Sequence, residues 1–573
     1  MHPQGQSHTL GYPRCACGAQ IERIRPEAGG KQSVTTTVEF QLARERVQAL
    51  LAPEVLGSDG DLQLIETHIS WVVLAGMHAY KIKKPVNFGF LDFSSLADRK
   101  RFCQEEIRLN RRMAPDLYLD VVPITETDSG AEIGGPGQVV EYAVRMKRFE
   151  QSAQLDNQLE AGLVTPSDMN GFARRLATFH ERAAVARGAM AEQHPDQVHG
   201  AVMDNIETIL RSRVLSADQR EQVEKLEQWT QQRFLELEPK LVVRARNGRV
   251  RECHGDLHLS NLVKLADGSV TAFDCIEFSD ELRWIDVLND TAFLVMDLME
   301  RNRPDLAHGF LSAYLERSGD YQDLDLLRFF LVYRSLVRAK VALLMAAIPG
   351  VSKVDLSTAR KRCQSHLNLA LKLSTTKPPN LVLMRGYSGS GKSWISERLA
   401  MYLPAIRMRS DLERKRLFGI PRLAFTRNPV NEGIYTPEAS VQTYEMLEAN
   451  ARSMLLAGFN VIVDATFLDR GRRQLFEALA NELGIGYLVL DVKAPARLLR
   501  HRIARRQAEG GDPSEASLKV LERQISQTND LPRDELPNVM GVTNSNDLDV
   551  DLLAGSIRQR LRKYPRIQAN SAS

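Results

Sequence analysis

At 573 residues the chain is longer than one hydrophobic core organises, so two or three domains are expected. A hydrophobic fraction of 43%, a charged fraction of 26% and a formal net charge of +3 exclude a disordered or fibrous chain and neither require nor forbid a nucleic-acid partner. Six scattered cysteines exclude a disulfide framework, and the apolar runs, such as residues 341–348, fall short of the roughly 20 residues that cross a bilayer, so a reducing cytoplasmic location without a membrane partner is expected.

Residues 1–36 carry few apolar side chains, no sustained period and no signal-peptide core, and they are expected to form a disordered leader. Within it Cys15 and Cys17 form a lone C-x-C that lacks the second ligand pair of a structural zinc site. A helix follows, with Phe40, Leu42, Val47, Leu50 and Leu51 as its apolar stripe. Three strands are predicted at 62–66, 69–74 and 78–83, the last two separated by Ala75-Gly76. Residues 97–113 read as a helix, 139–146 as a strand, and the chain beyond about 165 as mainly helical.

The run ECHGDLHLSNLVKLADGSVTAFDCIEF then brings together His254-Gly255-Asp256, Asn261 and, at the end of a predicted strand, Asp274. Phosphoryl transfer from ATP needs a base on the acceptor side and oxygen ligands for Mg²⁺, and these are the right residue types in the right order. The run resembles that of the aminoglycoside phosphotransferase and choline kinase superfamily, over about residues 40–370. The resemblance implies a two-lobed α+β protein-kinase-like fold, Asp256 as catalytic base, Asn261 and Asp274 as magnesium ligands, and Asp286 as a structural aspartate. It also makes HAYKIKKPV the third strand of a small lobe, with Lys81 gripping phosphates; Lys83, two residues on and on the same side, remains an alternative. The helix partner of the lysine is Glu106 or its neighbour Glu105, and YAVRMKRF leads into the hinge. No glycine-rich loop lies between the first two strands, where the family pattern has one. Near the domain's end Arg334 and Arg338 share a helical face, which suits either acidic neighbours or an anionic substrate.

Residues 374–380, STTKPPN, end the helical run and mark a linker. Beyond it strands at 381–385, 405–409, 460–465 and 487–492 alternate with helices, the pattern of a parallel α/β sheet. The first strand runs into Gly386, Tyr387, Ser388, Gly389, Ser390, Gly391, Lys392 and Ser393, a Walker A loop opening a helix. In such a loop the backbone N–H groups and helix N-terminus hold phosphates, the lysine reaches the β- and γ-phosphates, and the serine ligates Mg²⁺. Asp411, at the end of the second strand, is placed either to take a proton from an attacking hydroxyl or to cap a helix. Asp464, at the end of the third, reads as a Walker B carboxylate or a turn residue. Arg502, Arg505 and Arg506 lie on a basic helix before the Gly510–Pro513 turn, as a lid over the transferring phosphoryl group or as a solvated face.

These segments together look like the P-loop kinases related to polynucleotide kinase and zeta toxins, over about residues 381–566, with 567–573 as a tail. The resemblance implies phosphorylation of a hydroxyl with Asp411 as base and the arginine segment as lid. The expectation is therefore two ATP- and Mg²⁺-binding kinase domains, at 37–373 and 381–566, acting on small-molecule or nucleic-acid-end hydroxyls, with no obligate protein partner implied. The alternatives are a first domain that only binds a ligand or regulates a single active P-loop kinase, and a pure nucleotide switch or ATPase.

Overall fold

The computed structural model describes residues 34–52, 62–88, 91–128, 130–347, 353–422, 424, 432–509, 514–528, 530–544 and 548–562. The Cys15–Cys17 pair, the Gly510–Pro513 turn and the tail 567–573 lie outside the described residues, as does the expected leader up to residue 33. Helix begins at Val34, three residues inside that leader. The chain forms two compact units, each discontinuous in sequence. The first comprises residues up to Asp168, Arg182–Asp297 and Leu331–Leu371; the second comprises Met169–Glu181, Leu298–Phe330 and the chain from Lys372. Among the described residues no helix is long and apolar enough to cross a membrane.

The first unit carries a six-stranded sheet of β1 (Gln63–Glu66), β2 (Ser70–Ala75), β3 (His78–Lys83), β4 (Tyr118–Thr127), β5 (Gly130–Ile133) and β6 (Gln138–Lys147). Its order is β1-β2-β3-β6-β4-β5, with every pairing antiparallel. Side chains alternate along a strand, so the sheet offers two faces. Trp71, Val73, Tyr80 and Ile82 pack with Ala43 and Val47 of the helix Val34–Ala49 and with Leu50 just past its end. Leu74, Ala79 and Val144 pack with Cys103 and Ile107 of the helix Leu96–Asn110, which Ser95 caps by accepting the Asp98 N–H. Lys81 and Lys83 share the parity of Ala79, and the strand's twofold repeat thus turns both toward the second helix. Two short ribbons follow: β7 (Val250–Glu252) pairs with β10 (Trp284–Asp286), and β8 (Leu262–Lys264) with β9 (Val270–Ala272). They bracket the loop that carries Asp256 and deliver Asp274.

In the second unit, β11 (Asn380–Arg385), β12 (Ala405–Arg409), β13 (Asn460–Asp464), β14 (Gly486–Lys493) and β15 (Val539–Thr543) form a parallel sheet in the order β12-β13-β11-β14-β15. The strand feeding the Walker A loop is central and apolar from Leu381 to Met384, as a strand buried on both faces must be. The edge strand β12 is covered by the helix Pro304–Ser318. Ser312 Oγ donates to Ala405 O and accepts the Arg407 N–H, both at 3.2 Å, and Glu316 accepts from Arg407 Nη2 at 2.8 Å. A covered edge cannot template pairing with another chain.

Candidate active sites

In the first unit Lys81 Nζ lies 2.8 Å from Glu106 Oε1 and 2.5 Å from Asp274 Oδ1. Lys83 Nζ lies 2.7 Å from Glu106 Oε2 and also donates to Glu277. Glu106 therefore bridges both lysines, whereas Glu105 pairs with Arg108 and Arg283. Exposure separates the two lysines: the Lys81 side chain is 13% exposed, that of Lys83 0%, so only Lys81 is reachable by a ligand. Burial pulls the Lys81 ammonium down, but the carboxylates of Asp274 and Glu106 outweigh it and hold it well above the usual lysine range. Burial pushes Glu106 up, and the two ammonium groups outweigh that and bring it below the usual carboxylate range.

Asp274 sits at φ +63°, a left-handed conformation that costs an aspartate about 1 kcal/mol or more and is kept where the surroundings enforce it. Here its N–H donates to Tyr118 Oη at 3.0 Å while its carboxylate is gripped by Lys81. Asp256 is buried, and Asn261 Nδ2 donates to its main-chain oxygen (2.9 Å) and to its Oδ2 (3.1 Å). Asp256 Oδ1 and Asn261 Oδ1 are buried without a hydrogen-bond partner. Two orphaned oxygens, together with a further carboxylate at Asp274, are the donor set a hard divalent cation takes. Burial raises the Asp256 carboxyl, but His258 and Arg338 outweigh it and keep it below the usual range.

Two residues unforeseen from the sequence shape this site. Asp290 accepts the N–H groups of His254 (3.2 Å) and Gly255 (2.9 Å), fixing the loop that presents Asp256. Glu277 compensates Lys83. Asp286 is fully buried and paired with Arg244 through bonds of 2.7 and 2.9 Å. Arg334 meets neither an acid nor an open surface: it is buried, donates to Asn289 Oδ1 at 2.8 Å, and stacks on Phe293 at 4.7 Å. Between β1 and β2, where a glycine-rich loop would lie, there is a tight turn closed by Thr67, whose Oγ1 accepts the Ser70 N–H.

In the second unit the Walker A loop joins β11 to the helix Lys392–Tyr402, with Gly391 as its cap at φ +88°. Gly386, at φ +145°, passes so close to β14 that a Cβ would stand 2.4 Å from Val492 O. Lys392 Nζ donates to Gly386 O (2.9 Å) and Tyr387 O (2.8 Å). Burial, only partly offset by Asp464 and Asp411, lowers its pKa to about 8. Asp464 accepts from Ser396 Oγ at 3.1 Å, one turn along the helix from Ser393. The N-cap of the helix Ser410–Leu417 is Arg409, and Asp411 stands inside the first turn, so capping does not account for it. The hydroxyl of Ser390 is buried and without a partner, and a Cβ on Gly386 would stand 2.9 Å from it.

Of the three lid candidates, Arg502 reaches the loop, its Nη1 lying 3.3 Å from Ser390 O and 3.5 Å from Gly389 O. Arg506 donates to Ala516 O and is close enough to depress Lys392. Arg505 points away, paired with exposed Glu509. Two further loop contacts carry no local sequence signal: Gln524 Oε1 accepts the Ser388 N–H at 2.9 Å, and Asn544 Nδ2 donates to Ser390 O at 2.7 Å. Beside Asp411, Arg414 donates to Ile434 O and lies 5.3 Å from the Tyr435 ring, and Arg472 lies 4.3 Å from that of Tyr444.

Fold and sites define a protein of two kinase-like domains, a protein-kinase-like domain followed by a P-loop domain. Residues 97–330 match the phosphotransferase enzyme family and residues 381–531 an AAA domain. The chain is 30% identical over 457 residues to the uncharacterized protein Rv2004c of Mycobacterium tuberculosis and, to the same extent, to Mb2027c of Mycobacterium bovis, covering 79% of this chain and 88% of each relative. It belongs to the family of these mycobacterial proteins. Among solved structures it is similar to the amicoumacin kinase hAmiN, with 12% identity over 58% of this chain and 95% of that chain and a TM-score of 0.36. It is also similar to a gluconokinase from Sinorhizobium meliloti, with 21% identity over 33% of this chain and 92% of that chain and a TM-score of 0.22.

Proposed function

We propose that each domain binds Mg·ATP and transfers its γ-phosphoryl group to a hydroxyl acceptor, a small molecule or a nucleic-acid end. What supports the reading is the side-chain chemistry of each unit: in the first, Lys81 paired with Asp274 and the partnerless buried oxygens of Asp256 and Asn261; in the second, Lys392 and Ser393 of the Walker A loop, with Asp464 and Asp411 close enough to act on the Lys392 ammonium. In both, the acceptor oxygen bonds to the γ-phosphorus as the bond from phosphorus to the ADP oxygen breaks, and the hydroxyl proton passes to Asp256 or Asp411. Asn261 and Asp274 in the first domain, and Ser393 and Asp464 in the second, would hold magnesium, which would neutralise charge on the phosphates. Asp290 keeps the Asp256 loop in place, and Arg502, which reaches the Walker A loop, and Arg506 act as the lid that stabilises charge developing on the transferring group.

Single-turnover transfer from γ-labelled ATP tests the reading, with cell metabolites and hydroxyl-ended oligonucleotides as acceptors. Asp256→Asn is expected to reduce one set of products and Asp411→Asn another, each by roughly 10²–10⁴. Unchanged transfer in both variants refutes it.

The tight Thr67 turn favours a second reading for the first domain alone, a ligand-binding or regulatory module. Magnesium-dependent binding and turnover of ATP by the Lys392→Ala chain counts against that module.

A further inference from the structure

The known members of the resembled superfamily that act on aminoglycosides or choline meet cations, and an acidic acceptor pocket would be the physical complement. The first unit has the opposite charge beside its base. Helix Leu324–Ala346 presents Arg334 and, one turn later, Arg338 on the same face. Arg334 fixes where that face lies: its guanidinium is 4.7 Å from the Phe293 ring, that ring is 5.4 Å from the His258 ring, and His258 Nε2 is 3.5 Å from Asp256 Oδ2.

The other basic residues nearby are spent. Lys81 and Lys83 are compensated by Glu106, Asp274 and Glu277, Arg334 is tied to Asn289, and Lys340 lies 3.6 Å from Asp204. Arg338, half-buried, has no side-chain partner among the described residues. It lies near enough to Asp256 for the two charges to interact. A guanidinium that is partly withdrawn from water and left without an acid gains from an anion more than a solvated one does.

We propose that the acceptor of the first domain is a small hydroxylated anion, whose carboxylate, phosphate or sulfate group is held by Arg338 while its hydroxyl meets Asp256. The inference rests on the reading of Asp256 as base and adds the charge class of the acceptor. Arg338 neutralises the negative group that would otherwise be repelled by Asp256, Asp274 and Asp290, and it fixes the distance between that group and the reacting hydroxyl.

The test uses the full chain carrying Lys392→Ala, so that nucleotide chemistry reports the first domain. With Mg·AMP-PNP saturating, inorganic sulfate is titrated and thermal stability followed, and ADP release is then measured with hydroxy acids and sugar phosphates against neutral polyols and amino sugars. Expected are a saturable sulfate-dependent stabilisation that Arg338→Gln removes and Arg338→Lys partly keeps, and turnover confined to anionic acceptors, with KM raised tenfold or more by Arg338→Gln and kcat changed less. Absence of saturable sulfate binding, its survival in Arg338→Gln, or equal turnover of neutral or amino-sugar acceptors overturns the proposal. Failure of AMP-PNP itself to stabilise the Lys392→Ala chain marks instead the failure of the kinase reading of this domain.

Discussion

The two lysines proposed to hold phosphate sit in opposite electrostatic settings, and ATP binding should reveal the difference as proton uptake. Lys392 is buried against main-chain carbonyls and its pKa falls to about 8, whereas Lys81, between Asp274 and Glu106, is held above the usual lysine value. At pH 8 about half of Lys392 is neutral, and at pH 9 about nine-tenths. Phosphates bound in the loop favour the ammonium, so filling the second site should take up about 0.5 proton at pH 8 and about 0.9 at pH 9, while the first site takes up none through Lys81. The same shift bears on stability. The folded pKa is below the unfolded one, so the cost of burying the ammonium, about 3 kcal/mol, is fully present below pH 8 and fades as pH rises from about 8 to about 10.5. Calorimetric titration with Mg·AMP-PNP in buffers of different ionisation enthalpy measures the uptake. Lys392→Met should abolish it. No uptake by the wild-type chain at pH 8–9, or the same uptake in Lys392→Met, refutes the reasoning.

Other perturbations separate scaffold from chemistry. Asp290→Ala strands the N–H groups of His254 and Gly255; at about 1.5–3 kcal/mol for each bond to a charged acceptor, the first unit should lose several kcal/mol in urea unfolding and these amides should exchange faster. Asp286→Ala removes the carboxylate from the buried Arg244–Asp286 pair, and about 3–5 kcal/mol of stability should disappear in the same assay. Gly386→Ala drives a Cβ toward Val492 O, so equilibrium dialysis should show loss of nucleotide from the second domain and retention in the first.

What the sequence disclosed followed from locality. The Walker A loop, its strand and its helix are contiguous, and the structure keeps them in the expected register. Lys81, Glu106 and Asp274 are far apart in the chain, and they were singled out by family pattern rather than by periodicity. The pattern drew attention to Asp286, yet the aspartate that holds the Asp256 loop is Asp290, since β10 commits Asp286 to Arg244 and turns the next helix's first face toward the loop. Strand β4 passed unread because Pro123 and two register breaks interrupt its alternation. Strand β15 is five residues long, includes Gly541, and earns its place by pairing with β14. Gln524 and Asn544 touch the phosphate loop from over a hundred residues away, and nothing in their neighbourhoods marks them. Likewise the segment 298–330 groups with the P-loop sheet through Ser312, Glu316 and Arg328, contacts that only folding creates.

The count of nucleotide sites decides the central claim most directly. Equilibrium dialysis of the full chain against Mg·AMP-PNP should saturate at two molecules per chain, falling to one in Lys392→Ala and one in Lys81→Ala. Saturation at one molecule in the wild-type chain, unaffected by Lys81→Ala, would contradict the account of two phosphotransfer sites.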